Sequence, residues 1–484
     1  MNDNYKRVMV YFRVIALTLI AIIVANEKIT AQSKSGFRID ITIKDATDSV
    51  LYLANYYGDK TYLTDTAYLD KKGHFVFEAD TLLPAGVYIL AGQHNNKYFE
   101  IIANKEQQFK VQTALPDLYS GIQFKNSKEN MVFYDFINYN VNIQKTLHNL
   151  ADSLAKLEKG SESAQQINDS VQALRTRLNK YKQNVIDENP DLFVSVLLKG
   201  MDDPRMEDFG LTQKQLQDSV FTYQYYKNHY WDDFNPADAR LLRTPVYHRK
   251  LETYFNKIIY QHPDSLIREI DKFIARVDTN PETFKYTVWF LTYKFETSNV
   301  MGFDEIFVHM IDKYYATGRA FWTGKSTLKT LEERADALRN ILIGADAPNM
   351  ILMDTSGGFA SLYRQDANYI IVLFYEEGCA HCRKEIKALK AWDQEDSLDF
   401  KVFAVCTDTN LVAWKKFIKS EQLPWIHVNG TRSVTPDYHH LYDIRVTPTI
   451  FLLDNRKKII AKRLKVDQLK PFLEHYEMTR KRSD

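Results

Sequence analysis

Ile370-Ile371-Val372-Leu373-Phe374-Tyr375 runs through Glu376-Glu377-Gly378 into Cys379-Ala380-His381-Cys382-Arg383-Lys384-Glu385-Ile386. Six consecutive apolar residues closed by a polar turn read as a strand buried on both faces. The stretch from about His381 to Trp392 reads as a helix, so a Cys-x-x-Cys pair stands where strand gives way to helix. There, unpaired backbone N–H groups and the positive end of the helix dipole face the first sulfur. Both favour the thiolate, the species that attacks disulfides. Cys382 follows one turn later on the same face, within reach to resolve a mixed disulfide. The pair is expected to cycle between a dithiol and a Cys379–Cys382 disulfide.

Downstream, Val402–Cys406 reads as a strand, Leu411–Ser420 as a helix, Ile450–Leu453 and Lys458–Ala461 as strands, and Val466–Tyr476 as a closing helix. The order is βαβα followed by ββα. Pro448, in Val446-Thr447-Pro448-Thr449, falls directly before a buried strand, where proline is unwelcome without a purpose; a cis Thr447–Pro448 bond would supply one. The His381 imidazole is expected to lower the Cys379 pKa and make the couple more oxidising, with Glu376 and Glu377 opposing it if they lie close. Two other readings of the pair are half a zinc site and a merely structural disulfide. A closed zinc site needs two further ligands, and only Cys406 and scattered histidines remain to supply them. His439 and His440 diverge on a helix and read as surface or packing residues, and Cys406 as a buried, inert thiol. No metal or cofactor is expected.

Of 484 residues only Cys379, Cys382 and Cys406 are cysteines, so everything upstream folds without disulfides. Length alone suggests about three domains. With 63 basic against 62 acidic side chains, charge supports neither nucleic-acid nor membrane-surface binding. Lys6, Arg7 and Arg13 precede an apolar run of about 12 residues, Val14–Ala25, which reads as a signal peptide over 1–31. The alternative is an uncleaved signal anchor, the one membrane attachment expected. Residues 33–120 read as seven short strands, from the alternating Phe37–Ile43 onward, in a small antiparallel sandwich of unknown role. Residues 127–340 turn to helical period. Leu147, Leu150 and Leu154 face Ile167, Val171, Leu174 and Leu178 across a hairpin, and Asn189-Pro190, Asn235-Pro236, His262-Pro263 and Asn280-Pro281 look like helix starts. The aromatic clusters at 221–226 and 229–231 read as helix packing, with a groove for an unfolded partner as the alternative.

Taken together, Cys379-x-x-Cys382, Thr447-Pro448-Thr449 and the hairpin signal at Gly344–Asp354 and Gly357-Gly358 resemble the thioredoxin superfamily, and within it the TlpA-like exported branch. The resemblance covers about residues 342–478. It implies a C-terminal α/β thioredoxin fold behind an all-α middle domain and an N-terminal antiparallel β-sandwich. It also implies a substrate disulfide laid against Thr447 and Pro448, with Cys379 attacking. Glu385 matches the acidic residue that moves protons in that branch. The buried Asp of thioredoxins, six residues before the first cysteine, is replaced by Leu373, and the usual Trp before that cysteine by Gly378. The Pro-x-x-x-Thr-x-x-Cys pattern of peroxidatic relatives does not precede Cys379.

The function expected is an exported thiol–disulfide oxidoreductase in the periplasm of a Gram-negative bacterium. It would reduce protein disulfides and be recharged by a membrane electron donor. The alternatives are an oxidase or isomerase, or an envelope binding or assembly factor with an accessory redox domain.

Overall fold

The computed structural model describes residues 36–480 apart from 95, 396 and 397. The expected signal segment 1–31 lies outside the described residues. Two compact units divide the chain, one up to Ile258 and the other from Ile259. The seam falls inside the helical region, just before the helix that starts at Pro263.

The first unit opens with β1 (Phe37–Lys44), β2 (Val50–Tyr57), β3 (Lys60–Tyr68), β4 (Phe75–Ala79), β5 (Gly86–Gly92), β6 (Lys97–Ala103), β7 (Gln108–Ala114) and β8 (Gln123–Lys125). They form two four-stranded sheets, ordered β4-β1-β7-β8 and β3-β2-β5-β6. Alternation along β1 buries Phe37, Ile39, Ile41 and Ile43. The β1–β7 pair runs parallel within otherwise antiparallel sheets, a direction that side-chain alternation does not encode. β8 is too short and polar to leave a periodic signal.

Helices α1 (Lys128–Leu154) and α2 (Glu162–Glu188) make the expected hairpin, capped by Ser127 and Ser161, with Tyr139 and Tyr181 stacked 3.8 Å apart. At its root the buried Asn130 side chain donates to Ile102 O and accepts from Ile102 N, both at 2.8 Å, tying helix to sheet. Asn189 ends α2 rather than starting a helix, and α3 (Phe193–Met201) begins after Leu192. Tyr230 and Trp231 pack on Tyr254 at 5.4 and 5.2 Å, ordinary core contacts.

The second unit begins with α4 (Pro263–Val277) and α5 (Pro281–Glu296), each with proline in its first turn as expected. Leu266, Ile270, Phe273, Ile274 and Val277 form the buried stripe of α4. Helices α6 (Asp304–Met310) and α7 (Lys325–Arg339) follow. The chain then builds one seven-stranded sheet from β9 (Ile351–Asp354), β10 (Phe359–Ser361), β11 (Tyr369–Tyr375), β12 (Phe400–Cys406), β13 (Ile426–Ser433), β14 (Thr449–Asp454) and β15 (Ile459–Lys462). Its order is β10-β9-β13-β12-β11-β14-β15, with β11, β12 and β13 parallel and the remaining pairs antiparallel. Every residue of β11 is buried, as a central strand requires.

β13 is an element the sequence reading lacked. His427, Asn429 and Gly430 interrupt its apolar run. Two of these interruptions have a local reason. Asn429 Nδ2 donates to Asp408 O at 2.8 Å. A Cβ on Gly430 would lie 2.7 Å from the Tyr438 ring, so only glycine fits there. Helix α8 (Ala380–Asp393) lays Cys382, Ile386, Leu389 and Trp392 onto the sheet. Helices α9 (Leu411–Glu421), α10 (Tyr438–Tyr442) and α11 (Val466–Arg480) complete the unit. Fully buried Lys462, on β15, bonds the carboxylate of Asp304 on α6 and the carbonyl of Ile341. This fastens the helical segment to the sheet.

Candidate active site

β11 delivers the chain to the sheet edge at Tyr375, and after the Glu376–Gly378 turn Cys379 is the N-cap of α8. Its sulfur takes the place of a capping oxygen, accepting the Cys382 backbone N–H at 3.3 Å. The Cys379 thiol is held below its ordinary value. The Cys382 thiol, which donates to it, does most of this, and the backbone N–H groups of Cys382 and His381 assist. Burial and the Glu376 charge act against them. The Cys382 thiol is pushed up to about 12, mainly by burial and then by its bond to the Cys379 sulfur. Both residues stand as thiols, Cys379 partly exposed and Cys382 buried. One sulfur is ready to attack while the other keeps its proton.

This division predicts a pH profile. Because the folded environment lowers the Cys379 pKa, its thiolate should persist to lower pH than that of an ordinary cysteine. Alkylation of Cys379 by iodoacetamide should therefore show a midpoint below about 8.5. Cys382→Ala, which removes the largest stabilising donor, should move that midpoint upward. An unmoved midpoint would assign the lowering to the helix end alone.

The Thr447–Pro448 bond is cis. Thr447 O lies 3.8 Å from Cys379 Sγ, so the loop before β14 meets the attacking sulfur. His381 and Glu385 stand on the same side. His381 reaches Cys379 through its backbone N–H, while its ring lines the adjoining groove. At the second position of a helix the amide points along the axis, toward the capping sulfur. Glu385 Oε2 accepts the Val466 N–H at 2.8 Å at the start of α11, so one of its oxygens is a structural cap. Leu373 is completely buried in the sheet. Cys406 closes β12 fully buried, its thiol pushed up to about 12 by burial. His439 sits on the surface, its Nδ1 2.7 Å from Asp437 Oδ1.

Three nearby groups have surroundings that the sequence reading did not give them. Glu377 is raised by burial and by the Asp408 charge, and its Oε2 is buried without a partner. Tyr375 Oη, fully buried beneath the motif, accepts from Trp414 Nε1 at 3.1 Å and lies 3.4 Å from His427 Nδ1. Burial pushes His427 down to about 4, so it stays neutral under the dithiol.

Residues 343–462 match the model described as the AhpC/TSA family. Residues 37–133 and 213–335 match two models, DUF4369 and DUF5106, each described as a domain of unknown function. A thiol-disulfide oxidoreductase ResA of Bacillus cereus is 26% identical over 137 residues, which is 28% of this chain and 76% of that protein. The protein of the same name from Bacillus subtilis is 27% identical over 118 residues, covering 24% of this chain and 64% of the relative. Among solved structures, a domain of a possible thiol-disulfide isomerase from Cytophaga hutchinsonii is 35% identical. That match covers 29% of this chain and 97% of the structure, at a TM-score of 0.28. With its cysteine pair at a strand–helix junction faced by a cis-proline loop, the segment 343–462 is an AhpC/TSA thioredoxin-like domain, a thiol–disulfide oxidoreductase domain.

Proposed function

We propose that the protein works as an exported reductant of protein disulfides in the periplasm of a Gram-negative cell. The observation that supports exchange at this pair is the split between the thiols, one lowered and partly exposed, the other raised and buried, while the reducing direction rests on the resemblance to the TlpA-like branch. The Cys379 thiolate attacks one sulfur of a substrate disulfide lying along Thr447 and Pro448. The substrate S–S bond breaks, and the departing sulfur leaves as a thiolate that takes up a proton. Cys382 then gives up its proton and attacks Cys379 Sγ, releasing the second substrate sulfur and closing the Cys379–Cys382 disulfide. The substrate gains two electrons and two protons. Glu385, with Oε1 outside its capping bond, is the proposed proton carrier. A dithiol donor at the membrane returns two electrons to restore the pair. Export rests on the basic residues and apolar run of the first 31 positions.

The deciding measurement is the reduction potential of the Cys379–Cys382 couple in the mature protein, by equilibration with glutathione or dithiothreitol buffers. A reductant should give about −250 mV or lower, close to thioredoxin at about −270 mV. A value near about −150 mV would overturn the direction of exchange and assign the domain to oxidation or isomerisation.

A further inference from the structure

A groove of about 470 Å³ opens beside the cis-proline loop, and its lining is unbalanced in charge. Arg334, Lys384, Arg445, Arg463 and Lys465 line it against two carboxylates, Asp443 and Glu385. Neither acid is free to neutralise them all. Glu385 is turned to the Val466 N–H. Asp443 is buried, and its two oxygens accept from Arg445 Nε and Arg463 Nη2 at 2.9 Å each. Arg334 donates to Glu296 Oε1 at 2.7 Å and to Glu296 O at 3.4 Å, and its Nε is buried with no partner. Burial and the neighbouring Arg445 charge depress the Arg334 guanidinium, the signature of cations held close together. Three guanidiniums thus share two carboxylates, Glu296 and Asp443, and their remaining N–H groups suit the two oxygens of an added carboxylate. The groove is also lined by His381, Thr447 and Pro448, and Thr447 O lies 3.8 Å from Cys379 Sγ, so the groove adjoins the reacting sulfur.

Arg334 lies on α7 and Asn299 between α5 and α6. The helical segment upstream of the redox domain thus supplies one wall of the groove.

We propose that Arg334, Arg445 and Arg463 form a carboxylate-reading subsite, and that the dithiol acts on polypeptides carrying an acidic side chain close to the reacting cysteine. This rests on the protein-disulfide reductase reading above. It gives the helical segment a task, which is to select the substrate rather than carry out the exchange.

The test uses the reduced, mature, full-length protein and pairs of disulfide-bonded peptides identical except for Glu or Gln within a few residues of one cysteine. Reduction rates are compared at low and high salt. The acidic peptide should react faster by about tenfold at low salt, the scale of a partly desolvated charge pair. The advantage should shrink as salt rises. Arg445→Gln, at an exposed position, and Arg334→Met should each bring the Glu-to-Gln rate ratio toward one. Taking the ratio within each variant removes any change in folded fraction or thiol reactivity. Equal rates for the two peptides in the unaltered protein would overturn the subsite and leave the reductase reading standing. Failure to reduce either peptide would overturn both.

Discussion

Cys382→Ser should turn the protein into a trap, accumulating a covalent complex with its substrate while net reduction stops. The expectation follows from the unequal surroundings of the two sulfurs. Cys379 keeps its helix-end N–H donors in that variant and can still attack, but nothing remains to displace it from the mixed disulfide. Cys379→Ser should give no complex at all, because the remaining Cys382 thiol is buried and pushed up to about 12. Activity in both variants should fall by at least about 10³-fold, the usual consequence of removing one member of a catalytic unit. The measurement is non-reducing electrophoresis of extracts from cells expressing each variant, with a reductant lane to release the partner. Complexes in the Cys379→Ser strain rather than the Cys382→Ser strain would reverse the assignment of nucleophile and resolver.

The largest expected effect on stability lies at Lys462. Its ammonium is buried, and it satisfies both the Asp304 carboxylate and the Ile341 carbonyl. Lys462→Ala strands Asp304, itself largely buried, without its counter-charge. Breaking a buried pair from one side costs about 3–5 kcal/mol, most of it the desolvation of the partner left behind. The double replacement Lys462→Met with Asp304→Leu removes both charges and should recover most of that loss. Urea unfolding of the three proteins, read at the transition of the second unit, separates the cases. Equal losses in the single and double variants would show that packing, rather than the stranded charge, carries the effect.

How far the sequence could be read varies with the physics at each place. The unbroken apolar run of β11 and the cysteines at the head of α8 were legible, because a doubly buried strand and a helix-capping thiolate each demand particular residues in particular order. Pro448 was legible for the same reason. β13 was not, since its buried polar residues depend on partners from distant segments, such as Asp408 and Tyr438. The burial that sets Glu377 and Tyr375 apart was hidden likewise, because single-sequence patterns do not record lost solvent. Arg334 was the least visible of all. On an amphipathic helix one more arginine reads as solvated surface, and only the fold brings it to Arg445 and Arg463.

The seam at Ile258 bears on how this chain could be recombined. A graft that lifted the redox module out at residue 342, where the strand–helix alternation begins, would leave Asn299, Asp304 and Arg334 with the donor. The transplanted piece would keep its dithiol but arrive without the wall that lines its groove and without the counter-ion of Lys462. A cut after Ile258 would carry chemistry and selectivity together, so the heritable cassette is longer than the catalytic fold it contains.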